Sequence, residues 1–586
     1  VFYIASVFVL AGCSGFESST LASTTNHAPT GPPFTLTGTI TYDWVPANAN
    51  GASGALLDYS AIIPMPARRV VVRAMSNGFV EGETTTDDIG NFSLYVPTGR
   101  AVQVQALAKI SSTSYVKDGL GASNTEACNG SSWDVRVVDN TNSRAQWAVM
   151  GANFYQKGTT GVAVNAPLNY SGGAYTSRAA APFAILDSIV SVFELACQGK
   201  ADITFPILYV NWSPLNSTNS GNLATGAIST SFFTDSSNEN ALYLLGEEGV
   251  DTDEYDDHVI AHETGHYLEA ALFRSDSVGG SHSLGQSLDP RVAFGEGYGN
   301  AISAMTFSDP VYVDTNGTGQ GSGFTIQVDQ APTGDDRGHY SERSAEYFLW
   351  TLFDNGDGIA ANNLGLFVKI YNIMANFQRS TNSFTSLLSF ASYYNQVYGG
   401  ASEGLQGLWT TSLGLPYNAL CVGTCSGTGD AADPYDTDND IGVSFASGAA
   451  GQRRFPQTTG STYSSEFWRV VRTLSSGLNT GTAHESMVDG AYTYPYNRLG
   501  MVRWYKLVGT GNQTTVAVES TAGGCTSDTL DMYISKSGVE VGYDDASSGL
   551  TAGCPIVTFS STLGATYMID IRGFSNVSTF DLRVTE

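Results

Sequence analysis

His262-Glu263-Thr264-Gly265-His266 is the stretch whose residue types and spacing could do chemistry. On a helix, two imidazoles at i and i+4 lie on one face, one turn apart, at a spacing suited to one zinc ion. The carboxylate between them can take a proton from water on that metal. With seven histidines in 586 residues, chance is a poor source of this pattern.

The motif needs a helix, and the flanks predict one. Asp251-Thr252-Asp253-Glu254 supplies capping side chains and negative charge suited to a helix N-terminus. From Tyr255 to about Arg274 there is no proline and one glycine, while Val259, Ile260, Leu268, Ala271 and Leu272 supply apolar faces. His258 lies one turn upstream, and one ion is not readily reached from three successive turns. It reads as a helix-surface residue or one lying behind a ligand.

A catalytic zinc takes a third protein ligand and leaves a fourth position to water. The residues after His266 lack the glycine and third histidine of a metzincin. The stretch from Asp289 to Ala301 offers a better candidate. Asp289-Pro290 is a good cap and first-turn pair, and Glu296 and Asn300 then share a helix face. Glu296 can bind the metal while Asn300 orients a histidine from behind. Three glycines in this helix would let it approach the motif helix. His282, Asp289 and His339 are rival third ligands.

At His262, Glu263, His266 and Glu296 the chain resembles the gluzincins, the thermolysin-like and aminopeptidase-like zinc peptidases whose third ligand is a glutamate on a following helix. It departs from them in Asn300, where thermolysin-like chains carry aspartate, and in the long gap from His266 to Glu296. The resemblance implies one catalytic zinc, a peptide or protein substrate, and Glu263 as the general base that later protonates the leaving amine. It also implies a side-chain donor to the oxyanion. His339 and Tyr340, just before a helix expected over 341–353, are of the right types; the alternative is a satisfied pair at a helix start. Ala241–Leu245 reads as a strand, either an edge that a substrate peptide extends or an ordinary core strand. No aminopeptidase signature is evident, so endopeptidase is the expectation.

Around the site, the expected fold is multidomain: an α+β zincin-like core flanked by all-β sandwiches. Val1–Leu10 is an apolar run ending in Leu10-Ala11-Gly12-Cys13, which looks like a bacterial lipobox with Cys13 as the lipidated residue. Residues 1–13 would then be the signal segment and 14–33 a flexible tether. The expected location is the bacterial cell envelope, outside the cytoplasm. Setting Cys13 aside leaves six cysteines, an even number suited to disulfides, paired by domain as Cys128–Cys197, Cys421–Cys425 and Cys525–Cys554.

Residues 34–155 read as strands, at Phe34–Tyr42, Arg69–Met75, Phe92–Val96 and Ala101–Ile110. They resemble the carboxypeptidase regulatory-like, transthyretin-like sandwich. Residues 156–426 mix strands and helices and form the expected peptidase domain, with Pro182–Ala196 as a helix and Ile203–Val210 as a strand. Residues 427–586 are again all-β, and Trp504–Leu507, Thr529–Ile534 and Tyr567–Gly573 look like the bacterial pre-peptidase C-terminal domain. Asp433, Asp436, Asp438 and Asp440 could bind calcium or form an acidic solvated linker. Asp354-Asn355-Gly356-Asp357-Gly358 reads as a turn.

A net charge of −28, with no basic patch, argues against a nucleic-acid partner. Three function classes remain: a lipid-anchored zinc peptidase, a catalytically inactive metal-binding surface lipoprotein acting through its sandwiches, and a structural lipoprotein with an incidental motif. The intact glutamate favours the first, because a scaffold has no need for it.

Overall fold

A computed structural model describes residues 33–413, except 52–53, 98–100, 113–127, 153, 156–159, 237–238, 334–335, 355–362 and 399–404. Further on it describes 471–474, 476–479, 497, 502–520, 530–545, 554–573 and 580–586. Cys13, Cys421, Cys425, Cys525 and the Asp433–Asp440 run lie outside the described residues. The protein is a mixed, sheet-rich multidomain chain. It divides into two compact units, one of residues up to 271 with 302–327, the other of 272–301 with 328–586.

The first unit is built on a mixed sheet. Its strands run, in spatial order, Phe232–Thr234, Asn240–Leu244, Leu208–Trp212, Trp133–Asp139, Ala101–Ser112, Val70–Ser76 and Phe79–Thr85, with three short strands off this path. A smaller sheet sets Pro33–Trp44 between Thr160–Ala166, in parallel, and the antiparallel strands Ile63–Pro66 and Asn91–Pro97. Valines, isoleucines and alanines fill Val70–Ser76 and Ala101–Ser112 because these central strands are covered. Helix α1 (Ala181–Gly199) packs on Ala101–Ser112 and Trp133–Asp139 and is buried along most of its length. Its apolar composition would suit a bilayer, but here it serves a core. Cys128 and Cys197 form the expected disulfide and tie the end of α1 to the loop before Trp133.

The boundary expected at 155/156 does not separate two sheets. Leu208–Trp212 pairs in parallel with Trp133–Asp139, and Thr160–Ala166 in parallel with Pro33–Trp44. Parallel partners lie far apart in sequence, so local pattern gives no sign of them. The expected strand Ile203–Val210 is also shifted, to Leu208–Trp212. Pro206 has no N–H for a ladder, and its carbonyl instead accepts from the Tyr267 hydroxyl (2.6 Å). Asn240–Leu244 is not a sheet edge, since Phe232–Thr234 pairs on its outer side.

The second unit ends in a sandwich. One sheet orders Val471–Thr473, Val502–Val508, Thr566–Gly573, Leu530–Lys536 and Val539–Asp545; the other orders Gly477–Asn479, Phe580–Thr585, Gln513–Ser520 and Ile556–Ser560. Inward residues of both, among them Tyr505, Met532, Ile569, Val516, Phe559 and Val584, form one core cluster. Cys554 is disulfide-bonded.

Candidate metal centre

Helix α2 (Asp257–Leu272) carries the motif. It starts later than the capping residues suggested, because Asp251–Thr252 is a strand and Glu254 is buried against Arg178 and Trp212. The start is held by the Asp256 carbonyl, which accepts from Ile260 N (3.1 Å). Asp257, in the first turn, accepts from Ser188 Oγ (2.7 Å) and Trp44 Nε1 (3.3 Å). Burial pushes its carboxyl up to about 6.

On this scaffold His262 Nε2 and His266 Nε2 lie 3.1 Å apart. His266 Nδ1 meets Glu269 Oε2 at 3.2 Å, and Glu269 is fully buried. A proton on Nδ1, held by that carboxylate, leaves the Nε2 lone pair for a metal. Glu269 stands one turn after His266, so helical spacing could have found it. Tyr312 is a second residue that sequence reasoning missed. Its ring lies 6.2 Å from that of His262, and burial, then Asp314 and Glu263, hold its hydroxyl well above its ordinary pKa.

His258 is not at the surface. Its ring packs against Phe307 and Tyr312, its Nε2 is 3.4 Å from the Asp309 carbonyl, and burial lowers its pKa.

Helix α3 (Pro290–Phe307) starts as expected: Asp289 Oδ1 accepts from Arg291 N (2.9 Å), and proline takes the first position. Asp289 is fully buried and paired with the Arg291 guanidinium (2.7 Å), which leaves it a structural cap rather than a metal ligand. The close approach that glycine permits is made by Gly297 to α4 (Glu342–Phe353). A Cβ there would meet Ala345 Cβ at 2.4 Å and the Glu342 carbonyl at 2.7 Å. Asn300 donates its amide to Glu342 Oε1 and Glu346 Oε2, both at 2.8 Å. Burial, then Glu342, pushes Glu346 up to about 8.

His282 Nε2 stands 3.3 Å from Glu296 Oε2. Burial alone would lower its pKa, but the facing Glu296 carboxylate outweighs that and raises it to about 9. His282 is thus a partner of Glu296, and it is not one of the three residues whose ligand atoms converge.

His262, His266 and Glu296 each present one ligand atom, and these atoms lie within 4.8 Å of one another. Zn–N bonds of about 2.0–2.1 Å set ligand atoms roughly 3.3 Å apart in a tetrahedron. Two imidazole nitrogens and a carboxylate at this spacing fit zinc in donor type and in reach.

His339 and Tyr340 are both buried, with ring centroids 5.4 Å apart. The Tyr340 hydroxyl donates to the Arg337 carbonyl (3.2 Å), and its own carbonyl accepts from Leu288 N (2.9 Å). Both contacts tie Tyr340 into the loops ahead of α3 and α4.

Residues 219–397 match the family described as the mycolysin C-terminal domain. The matched span contains α2, α3 and α4. This chain is therefore related, over that span, to metallopeptidases. Among solved structures it is similar to the precursor of protealysin, a metalloproteinase from Serratia proteamaculans, at 9% identity over 47% of this chain and 85% of that one, with a TM-score of 0.28. It is similar also to a 9R-lipoxygenase from Cyanothece PCC8801 at 9% identity, over 30% of this chain and 25% of that one, with a TM-score of 0.13. Scores this low carry no weight for fold or function. No curated protein matches the chain.

Proposed function

We propose that the protein is a zinc-dependent peptidase of the gluzincin type, with a zincin-like core. The observation that carries this reading is the convergence of His262, His266 and Glu296. Zinc held there supplies a Lewis acid that lets water ionise near neutral pH. Glu263, beside His262 on α2, accepts that proton and delivers it to the leaving amine. Glu269 holds His266 from behind, and Asn300 braces α3 through Glu342 and Glu346. His339 is the proposed donor to the oxyanion, and Tyr340 the second candidate. The substrate is a protein or peptide, cleaved internally. Cys13 is proposed as the lipidated residue of an envelope lipoprotein, with the sandwich modules as its exported setting.

The test is metal analysis of the full chain with and without His262→Ala, alongside hydrolysis of a generic peptide mixture. One zinc per chain, lost on substitution, with hydrolysis abolished by chelator and by Glu263→Gln, is the expected result. Zinc absent from the unsubstituted protein overturns the reading. Zinc present but no hydrolysis sensitive to Glu263→Gln leaves the inactive metal-binding lipoprotein in its place.

A further inference from the structure

The outward face of one sandwich sheet forms a wall of a cavity. Tyr505, Met532, Ile569 and Ile571 point into the sandwich core. The residues that alternate with them along each strand point the other way. Trp504 and Tyr533 both stand opposite Asp570 in register, so the three share the outward face with Met568 and Arg572. The segment 275–278 lies against this face, and between the two is a cavity of about 320 Å³.

The walls are held by hydrogen bonds. Arg274 donates to Asp276 (2.9 and 2.7 Å) and to the carbonyls of Thr381 (2.7 Å) and Ser383 (2.9 Å). Asp276 also accepts from Thr385 N (2.8 Å), which fixes the segment it lies in. Gly538, at φ 78°, approaches the Arg274 guanidinium so closely that a Cβ there would overlap it. Arg291 is engaged by Asp289 and Asp570, with the Phe384 and Trp504 rings 5.7 and 6.0 Å from its guanidinium. Arg572 lies over the Tyr533 ring at 3.9 Å.

The groups left open define the ligand. The Ser275 and Ser277 hydroxyls accept from Ser277 N (3.4 Å) and Gly279 N (3.2 Å), so each keeps its proton to donate. Arg572 gives Nε and Nη2 to Asp570, leaving Nη1 without a partner among the described residues. Ser535 and Glu540 stand opposite each other at the exposed end, and Glu540 has no ion pair among the described residues. Asp276, Asp570 and Glu540 line the cavity together with Arg291 and Arg572. A charged ligand of either sign therefore meets like charge on some wall, and an apolar one strips water from charges it cannot bond. Neutral hydroxyls suit the set, because each can donate to a carboxylate and accept from a guanidinium or a serine. The volume is at the lower end of the roughly 300–1,000 Å³ of small-molecule sites, room for a single ring.

We propose that this cavity binds a neutral sugar, as one pyranose unit of a glycan. Glu540 accepts from one of its hydroxyls, and Arg572 and the serines donate to others. No residue of the metal centre takes part, so this site and the peptidase reading stand or fall separately.

The experiment is saturation-transfer NMR on the full chain, with the methyl glycosides of glucose, galactose, mannose and N-acetylglucosamine as probes. Expected is saturable transfer to at least one glycoside, with a millimolar dissociation constant. Glu540→Gln should weaken that binding about tenfold, since an amide accepts less strongly than a carboxylate. Ser535→Trp, which fills the cavity, should abolish it. Both positions lie outside the sandwich core, and melting midpoints equal to that of the native chain check that each variant is folded. No saturable transfer to any of the four glycosides overturns the proposal, as does binding that survives both substitutions. Tighter binding of acetate or methylammonium than of every glycoside also overturns it, by assigning the cavity to a charged ligand.

Discussion

His262 Nε2 and His266 Nε2 face each other at 3.1 Å across one turn of α2. Two imidazoles meet at this distance when a proton or a metal ion lies between their lone pairs, and the Glu269 carboxylate behind His266 favours the metal-ready tautomer. Helix geometry imposes the spacing, while Glu269 holds the His266 ring and Tyr312 packs beside that of His262.

Glu263 should be separable from the ligands. Glu263→Gln should lower peptide hydrolysis by about 10²–10⁴-fold while zinc content stays at the native level. Metal analysis and initial rates on the same preparation check this, and zinc loss in the variant would show that Glu263 acts structurally instead.

Glu269→Gln should weaken zinc binding by about 10–100-fold, because a neutral amide holds the Nδ1 proton of His266 less strongly. Competition against a chromophoric chelator reads the affinity directly. An unchanged affinity would remove Glu269 from the site.

Gly297→Ala should destabilise the packing of α3 on α4 by about 1–3 kcal/mol, since the added methyl meets Ala345 Cβ at 2.4 Å and backbone on either side. Denaturant unfolding monitored by tryptophan fluorescence measures it. A cost near zero would mean that the helices separate freely.

Glu346 gives a pH dependence of definite sign. Its folded pKa, about 8, stands above the ordinary carboxyl value of 4.5. Between those values the unfolded chain has lost the proton and the folded chain keeps it, so this group makes stability fall as pH rises. Glu346→Gln removes the effect. Relative to the native chain it should gain on the order of 1–3 kcal/mol at pH 8 and nothing below pH 4.5. Melting curves at pH 4, 6 and 8 test this, and a gain that is largest at pH 4 contradicts it.

Asp570 joins the sandwich to the start of α3 by accepting from Arg291 Nη1 (3.0 Å) and Arg572 Nη2 (2.8 Å). Arg291 is buried, so removing one of its two carboxylates by Asp570→Asn should cost about 2–4 kcal/mol and speed proteolysis of the sandwich. Unchanged proteolysis would show that Asp289 alone suffices for Arg291.

What local spacing encodes was legible without a structure. The i, i+4 histidines, the Asp289-Pro290 cap, Glu296 on the following helix and the sandwich strands near Trp504, Leu530 and Tyr567 are short-range patterns. Each depends on residues within a turn or a strand of one another. The Cys128–Cys197 pair also followed, since cysteines in one region have few partners to choose from.

Tertiary structure decided the rest, because contacts between distant segments leave no local trace. Asp251 and Asp253 read as helix caps by sequence, yet folding sets them beside Asp314, some sixty positions on. Gly297 permits contact with α4, and Asn300 spends its amide on two glutamates that no periodicity links to it. His282 was one of several ligand types until its 3.3 Å contact with Glu296 made it a partner. The sequence alone determined which residues can hold a metal. Only the fold decided which of them converge, because burial and strand pairing act across the whole chain.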